Sequence, residues 1–394
     1  MLFQVLDDKE ECVSVCLNGK IVRDPSFDNL TKTWRWLPSI GEADVECAFL
    51  YANGKGLNDL CPEDLKEEWT TLLKKFAAFN TAFKEAKVET REVCRDLLIP
   101  ERYFKELCFF KDKISEHVFE NYPKPPNYDF LYQLTKILEE IKTQKLNIIP
   151  YGLEDRMSAY KTRVFARKLK FIQPYITYDI FGTVTGRLTT KRNSFPILTL
   201  DKDHRQVIHP NNDDFIELDF NAAEIRVFLA LAGVPQPKAD IHTWINENVF
   251  KGRKTRDETK KAVFAWLYNP KASNKKLEEL FKRDEVMAKY FDGTHVHTPF
   301  GRKIEAPADK ALNYIIQSTS SDLFLRRMIE VHKKLKGKKT KIAFCIHDSL
   351  VLDYNRQDRK TLEEVINTFE ETDLGDFKVN VSTGKNFGKL RKIL

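Results

Sequence analysis

Two acids stand at the ends of apolar runs that lie far apart in the chain. Asp219 falls near the end of FIELDF (215–220), and Asp348 sits between the two apolar runs of AFCIHDSLVLDY (343–354). The second stretch reads as strand, tight turn and strand, with His347 and Asp348 at the bend. Asp and Ser are ordinary turn formers, so the bend alone says little. Two carboxylates carried on separate buried strands can instead hold two divalent ions. Such a pair activates a 3′-hydroxyl, braces a leaving pyrophosphate and drives in-line displacement at phosphorus. Magnesium suits the arrangement, because it takes few protein carboxylates and keeps waters and phosphate oxygens as its other ligands. Glu224 follows in LDFNAAEIR, where the helix dipole alone would also favour an acid.

A second set is periodic. Arg256, Lys260, Phe264 and Tyr268 recur every four residues and so share one face of a helix from Thr255 to Tyr268. A core-facing stripe would be apolar throughout, and a solvent-facing one would rarely end in Phe and Tyr. Two cations followed by two rings match a nucleotide, with its triphosphate at one end and its sugar and base at the other. The plainer alternative is an amphipathic helix whose apolar face begins late. In TVTGRL (183–188), Gly186 allows close backbone approach and Arg187 can reach phosphate or a base edge. Asn313 and Gln317, four apart, could read minor-groove acceptors, or simply form a solvated polar face.

These residues need elements to position them. FIELDF reads as a strand running into the helix NAAEIRVFLALAG (221–233), with Asn221 as cap and Gly233 as stop. The second helix ends at Asn269-Pro270, and LNYIIQSTSSDLFLRRMIEVHKKL is a long amphipathic helix before the 343–354 strand pair. KVNVSTGKNFGKL supplies a last strand and a Gly-bearing turn. Upstream, FQVLD, CVSVCL and KIV suggest a small β meander, to which AFLYANGKG adds a further strand. From about Glu63 the pattern turns helical, broken at Pro100 and at YPKPPNY (122–128), and RMSAYKTRVFARKLKFI (156–172) is strongly basic.

Length and composition frame this. The 394 residues, 42% hydrophobic and 31% charged, fit a soluble globular protein of two or three domains. No apolar run approaches the roughly 20 residues that span a bilayer. MLFQVLDDKEE lacks a basic n-region and an apolar h-region, so the chain reads as cytoplasmic, and its seven cysteines as reduced buried thiols. The net charge is +7; residues 1–60 carry −4, leaving +11 on the rest, which favours a polyanionic partner.

Taken in order, these stretches resemble family A DNA polymerases, the bacterial polymerase I group with its phage relatives. The matching motifs are TGRL at 185–188; Asp-x4-Glu-x-Arg at Asp219, Glu224 and Arg226; and Asp-Ile-His at 240–242. They continue with the R-x3-K-x3-F-x3-Y stripe, Asn-x3-Gln at 313 and 317, His-Asp at 347–348, and Gly384, Asn386 and Phe387. The resemblance covers about 175–394 and, more loosely, the helices from about 90 on. It implies an α+β right-hand polymerase with three regions. Residues 1–60 form a small β-rich unit, 61–174 a helical region with a thumb at about 90–170, and 175–394 an antiparallel palm with helical fingers inserted at about 236–308.

The resemblance also implies roles. Asp219 and Asp348 bind two magnesium ions, with the Phe220 carbonyl as a further ligand. Arg256 and Lys260 hold the incoming triphosphate, Lys260 protonates the pyrophosphate, and His242 lies near the phosphates. Glu224 crowds the sugar 2′-position, Phe264 packs near the 3′-position, and Tyr268 stacks at the nascent pair. Arg187, Asn313, Gln317 and His347 contact primer and template DNA.

Several positions depart from the family pattern. Ser349 stands where an acid usually follows His-Asp, Asn269 replaces a glycine, and RLTTKRNSFPILTL departs from the usual template-contacting pattern. Asp219–Arg256 and Tyr268–Gln317 are short, so the fingers are expected to be trimmed. At the N-terminus, Asp8-Lys9-Glu10 and Asp44-Val45-Glu46 have exonuclease-like D-x-E spacing. Sixty residues are few for a compact domain, which commonly needs on the order of 100. No proofreading is therefore expected, and residues 1–60 read as a brace or a partner-binding piece. Two rivals are a single-subunit RNA polymerase, opposed by Glu224, and a non-catalytic DNA-binding scaffold, opposed by the complete Asp219, Asp348, Arg256 and Lys260 set.

Overall fold

Asn18-Gly19 makes the first tight turn, with φ of 50° and 72°, as Asn-Gly hairpins require. It joins β2 (Ser14–Leu17) to β3 (Lys20–Arg23) beside β1 (Leu2–Asp7), β4 (Lys32–Thr33) and β5 (Glu46–Cys47), in the order β3-β2-β1-β4-β5. β2 is antiparallel to its neighbours, whereas β4 runs parallel to β1 and β5. This computed structural model describes every residue except 10, 11, 91, 92, 270 and 394. The chain divides into two compact units, Met1–Glu140 and Ile141–Leu394.

In the first unit the sheet shares its core with helices. Trp69, Leu72 and Phe76 of α1 (Lys66–Glu85) belong to one apolar cluster with Phe104, Phe110, Ile114 and Val118 of α2 (Glu101–Asn121). The Pro-rich stretch separates α2 from α3 (Tyr128–Thr143). AFLYANGKG does not add a strand: Ala48–Tyr51 is a helical turn. Packing of Tyr51 against the Phe119 and Tyr128 rings, at 5.0 and 5.6 Å, outweighs local strand preference.

The expectation of seven reduced cysteines is also corrected. Cys12 and Cys94 are joined by a disulfide, with Cα atoms 5.9 Å apart, while Cys16, Cys47, Cys61, Cys108 and Cys345 are free and buried. Nearby contacts bring the pair together. The Arg95 amide donates to Asp7 at 2.7 Å, and Arg23 pairs with Asp96 at 3.2 Å.

The second unit is built on an antiparallel sheet. β6 (Asp214–Phe220) lies at its centre, between β8 (Ser349–Tyr354) and β9 (Val379–Gly384). β7 (Lys341–Ile346) and β10 (Arg391–Lys392) form the edges. Side chains alternate along β6. Ile216, Leu218 and Phe220 face one way and are buried, with Phe220 stacked 4.4 Å from Phe369 of α11 (Arg359–Glu370). Phe215, Glu217 and Asp219 face the other way. The long helix α10 (Ala308–Leu335) brings Phe324 within 6.2 Å of the same Phe369.

Between β6 and α10 the chain is mainly helical: α5 (Ala223–Leu231), α6 (Ile241–Asn248), α7 (Arg256–Tyr268), α8 (Lys275–Phe281) and α9 (Arg283–Tyr290). Before β6 lies the basic α4 (Tyr160–Leu169). Thr255 starts α7 through a capping box, giving its backbone N–H to Glu258 at 2.7 Å and accepting the Glu258 N–H at 3.2 Å. Asn221 is not the cap of α5. That position falls on Ala222, in left-handed backbone at φ 56°. The Asn221 side chain is taken up elsewhere, accepting from the Ile241 amide at 3.0 Å and donating to Asp240 at 2.9 Å. α7 ends at an extended Asn269, and Pro270 lies outside the described residues.

Candidate active site

Strand register places the two acids at one end of the sheet. Asp219 is paired with Ser349 of β8 on one side and Asn380 of β9 on the other. Asp348 immediately precedes Ser349, in the two-residue turn where His347 has φ 55°. Left-handed backbone is costly for a residue with a Cβ, so both acid-bearing corners, at Ala222 and His347, hold strained conformations.

Burial first, and the charge of Asp348 second, push the Asp219 carboxyl up to about 7. An Asn380 hydrogen bond at 3.3 Å and the Lys392 charge work against that rise. Lys392 in turn holds Asn380 at 2.9 Å. Asp348 is also raised, by burial and then by Glu224, with Arg187 and His347 opposing. Two half-buried carboxylates therefore lie close enough to interact, their negative charge only partly balanced, and a cation would relieve it. Among the described residues no three His, Cys, Asp or Glu side chains converge on one point. A hard cation that keeps most of its waters needs no such cage, so the donor set fits magnesium.

A second cluster adjoins it. Glu224 is held by both Arg187 and the Tyr268 hydroxyl. Burial and the Glu224 charge push the Tyr268 phenol upward, so it stays a donor. Phe264 stacks on Tyr268 at 5.7 Å, and the His242 ring lies 6.1 Å from Phe264. His242 is only 2% exposed, its Nδ1 has no hydrogen-bond partner, and burial drives its pKa to about 4. It is therefore a neutral ring that offers hydrogen bonds rather than charge.

Arg256 is already engaged, gripping Asp240 through Nε at 3.1 Å and Nη2 at 2.9 Å. Although burial opposes it, Arg256, Asn221 and the Thr243 amide hold the Asp240 carboxyl well below the usual range. Lys260, one turn further on, is exposed and makes no ion pair among the described residues. Asn313 and Gln317 are half-buried on α10, with no hydrogen bond to this cluster among the described residues.

Three further residues support the site, two of them, Arg226 and Gly186, inside motifs already noted. Arg226, fully buried, donates to the carbonyls of Asn221 (2.8 Å), Pro237 (2.8 Å) and Ala239 (2.9 Å), fixing the corner after Asp219. Tyr178 accepts the Cys345 amide at 3.0 Å and donates to the Cys345 carbonyl at 2.6 Å, bolting β7 in place. A Cβ on Gly186 would come within 2.4 Å of Arg302, which pairs with the buried Asp322 at 2.6 Å. The sequence signals were the Asp-x4-Glu-x-Arg motif for Arg226 and the GR pair for Gly186; nothing in it pointed to Tyr178.

Comparisons with known proteins bear on the family and the fold. The model for DNA polymerase family A matches residues 295–389. A DNA polymerase I of Chloroflexus aurantiacus is 22% identical over 272 residues, covering 55% of this chain and 29% of that protein. A DNA polymerase I of Caldicellulosiruptor bescii is 24% identical over 290 residues, covering 59% and 34%. The chain thus spans about a third of the length of these relatives. In fold, it matches the POL domain of Pol1 from M. smegmatis, solved in complex with DNA primer-template and dNTP. That match has a TM-score of 0.61 at 12% identity, over 98% of this chain and 95% of that one. Its ordered motifs and the match over 295–389 make the chain similar to DNA polymerase family A, and its α+β fold is that of a polymerase domain.

Proposed function

We propose that the chain is a template-directed DNA polymerase that adds deoxynucleotides to a primer 3′-end. The observation that carries this is the pairing of Asp219 and Asp348 at one sheet end, in a pocket short of positive charge. Two magnesium ions bound there would supply Lewis-acid stabilisation of the displacement. Asp219, Asp348 and the Phe220 carbonyl are the groups that would hold them.

The remaining residues bind and orient. Lys260 is free to meet a triphosphate and to pass a proton to the leaving pyrophosphate. Arg256 can join it by leaving Asp240, and the neutral His242 offers a hydrogen bond beside them. Glu224, clamped by Tyr268 and Arg187, forms a bulky wall suited to excluding a 2′-hydroxyl. Phe264 and Tyr268 present stacked rings to sugar and base. Arg187, Asn313, Gln317 and His347 are the proposed primer and template contacts.

In this reading the β6-centred sheet is the palm, the 236–308 insertion the fingers, and the helices at about 90–170 the thumb, gripping duplex through phosphates. No helix among the described residues is long and apolar enough to cross a membrane, and the site of action is read as the cytoplasm.

Proofreading is not part of the proposal. Asp8 accepts the Ser39 amide at 2.8 Å, and Glu46 is held by Lys124 at 3.0 Å and Tyr51 at 2.9 Å. Glu10 lies outside the described residues. The β-rich N-terminal segment remains a candidate brace or replication-partner surface.

The test is primer extension in magnesium with deoxynucleotides, ribonucleotides or neither, for wild type and Asp219→Asn. Templated extension with deoxynucleotides alone, lost in the variant, is the expected result. DNA binding without extension would favour the scaffold reading, and shortening of the primer would overturn the assignment of no proofreading.

A further inference from the structure

Ser349 occupies the place where a second acid would follow Asp348, and the structure shows what faces it. Its hydroxyl donates to Glu217 Oε1 at 2.9 Å. Glu217 lies two residues before Asp219 on β6, so the two acids share one face of the strand. In register Glu217 sits between Val351 and Ser382, one step along the sheet from the Ser349–Asp219–Asn380 row. It makes no ion pair among the described residues, and Lys392, in register with Glu217 across Ser382, donates to Asn380 at 2.9 Å. Its only hydrogen-bond partner among them is the Ser349 hydroxyl.

A carboxylate on the central strand of a sheet is disfavoured by strand preference. Here it also stands on the same strand face as the half-buried Asp219, without an ion-pair partner among the described residues. A structural acid would be paired, and this one adds negative charge where a cation is required. A longer side chain one step back along β6 can reach the region that an acid at position 349 would occupy on β8.

We infer that Glu217 is the third carboxylate of the metal-binding pocket, supplied from β6 in place of the acid missing from β8. It is a positioning residue, oriented by Ser349. It accepts hydrogen bonds from water on the cation that Asp219 and Asp348 bind directly. This inference rests on the polymerase reading of the site.

The test is manganese binding by the full-length protein, followed by electron paramagnetic resonance, with urea midpoints measured in parallel. The variants are E217Q, E217S, the exchange E217S/S349E and, as control, D219N. Loss of an outer-sphere partner typically weakens metal binding about 10–100-fold. E217Q and E217S should each weaken manganese binding by about 10-fold or more without lowering the urea midpoint. The exchange should recover most of that loss. Wild-type affinity in E217Q and E217S would overturn the inference, as would loss in both without recovery in the exchange. If D219N also binds manganese normally and wild type extends no primer, the polymerase reading itself fails, and this inference with it. A working polymerase with D219N-sensitive binding but E217-insensitive binding rejects the inference alone.

Discussion

Asp219→Asn should make the metal-free protein more stable, and the gain should depend on pH. The Asp219 carboxyl is raised from an ordinary 3.8 to about 7, by burial and then by Asp348. Below pH 3.8 it is protonated whether the chain is folded or not, so it contributes nothing. Between 3.8 and about 7 the folded protein keeps a proton that the unfolded chain has released, and stability falls as pH rises. Above about 7 the whole penalty is present. At 1.36 kcal/mol per pH unit the shift corresponds to about 4 kcal/mol, and residual solvent screening reduces it to about 2–4 kcal/mol. Asparagine keeps an oxygen for Asn380 and carries no charge to desolvate. The assay is urea unfolding in EDTA, read by tryptophan fluorescence, at pH 5 and pH 8. The variant should exceed wild type by about 2–4 kcal/mol at pH 8 and by clearly less at pH 5. Magnesium should then narrow the gap, because a cation stabilises only the ionised pair. A variant no more stable than wild type at pH 8, or a gain equal at both pH values, would refute the electrostatic account of the pocket.

Three other perturbations follow from the same contacts. Glu224→Ala removes the wall held by Tyr268 and Arg187, and should raise ribonucleotide incorporation relative to deoxynucleotide about 100-fold in single-nucleotide kinetics; an unchanged ratio would remove Glu224 as the sugar gate. Arg226→Met leaves three buried carbonyls without their donor and should cost about 3–5 kcal/mol in urea unfolding, whereas a loss under 1 kcal/mol would mean that water replaces the guanidinium. Cys12→Ser opens a loop of sequence separation 82, and by chain entropy should cost the first unit up to about 4 kcal/mol. Wild type in reducing agent should show the same loss, and an unchanged melting temperature in both would exclude a stabilising role for the bond.

The acid-bearing face was legible because it is written in local patterns. FIELDF alternates, so Asp219 had to share its side of the strand with Phe215 and Glu217, and His347-Asp348 between apolar runs had to be a turn. The four-residue spacing likewise placed Arg256, Lys260, Phe264 and Tyr268 on one helix face. What stayed hidden depends on contacts distant in sequence. Asn221 looked like a helix cap because local rules favour it there, but its side chain is recruited by Ile241 and Asp240. Arg256 looked free for phosphate, yet Asp240 holds it. The bond between Cys12 and Cys94 left no trace in either local stretch. Glu217 was visible in the alternation all along; its meaning depended on Ser349 across the strand pair. The first sixty residues looked separate by composition, yet they share one compact unit with the helices that follow, up to Glu140.

The paired register of β6 sets a rule for changes in chain length. Every residue from Asp214 to Asp219 is matched on β8, and every residue from Phe215 to Phe220 on β9. Deleting one residue between 214 and 218 would turn Asp219 toward the apolar layer of Phe220 and Phe369 and bring a hydrophobic side chain to the reactive face. Fold and chemistry would be lost in the same step, with no weakened intermediate. The bend at 210–213 just upstream is fixed in another way, with the Asn211 and Asn212 amides donating to Asp353 at 3.1 and 2.9 Å and the Arg356 amide donating to Asp213 at 2.8 Å. Related chains should therefore hardly ever differ in length within this strand.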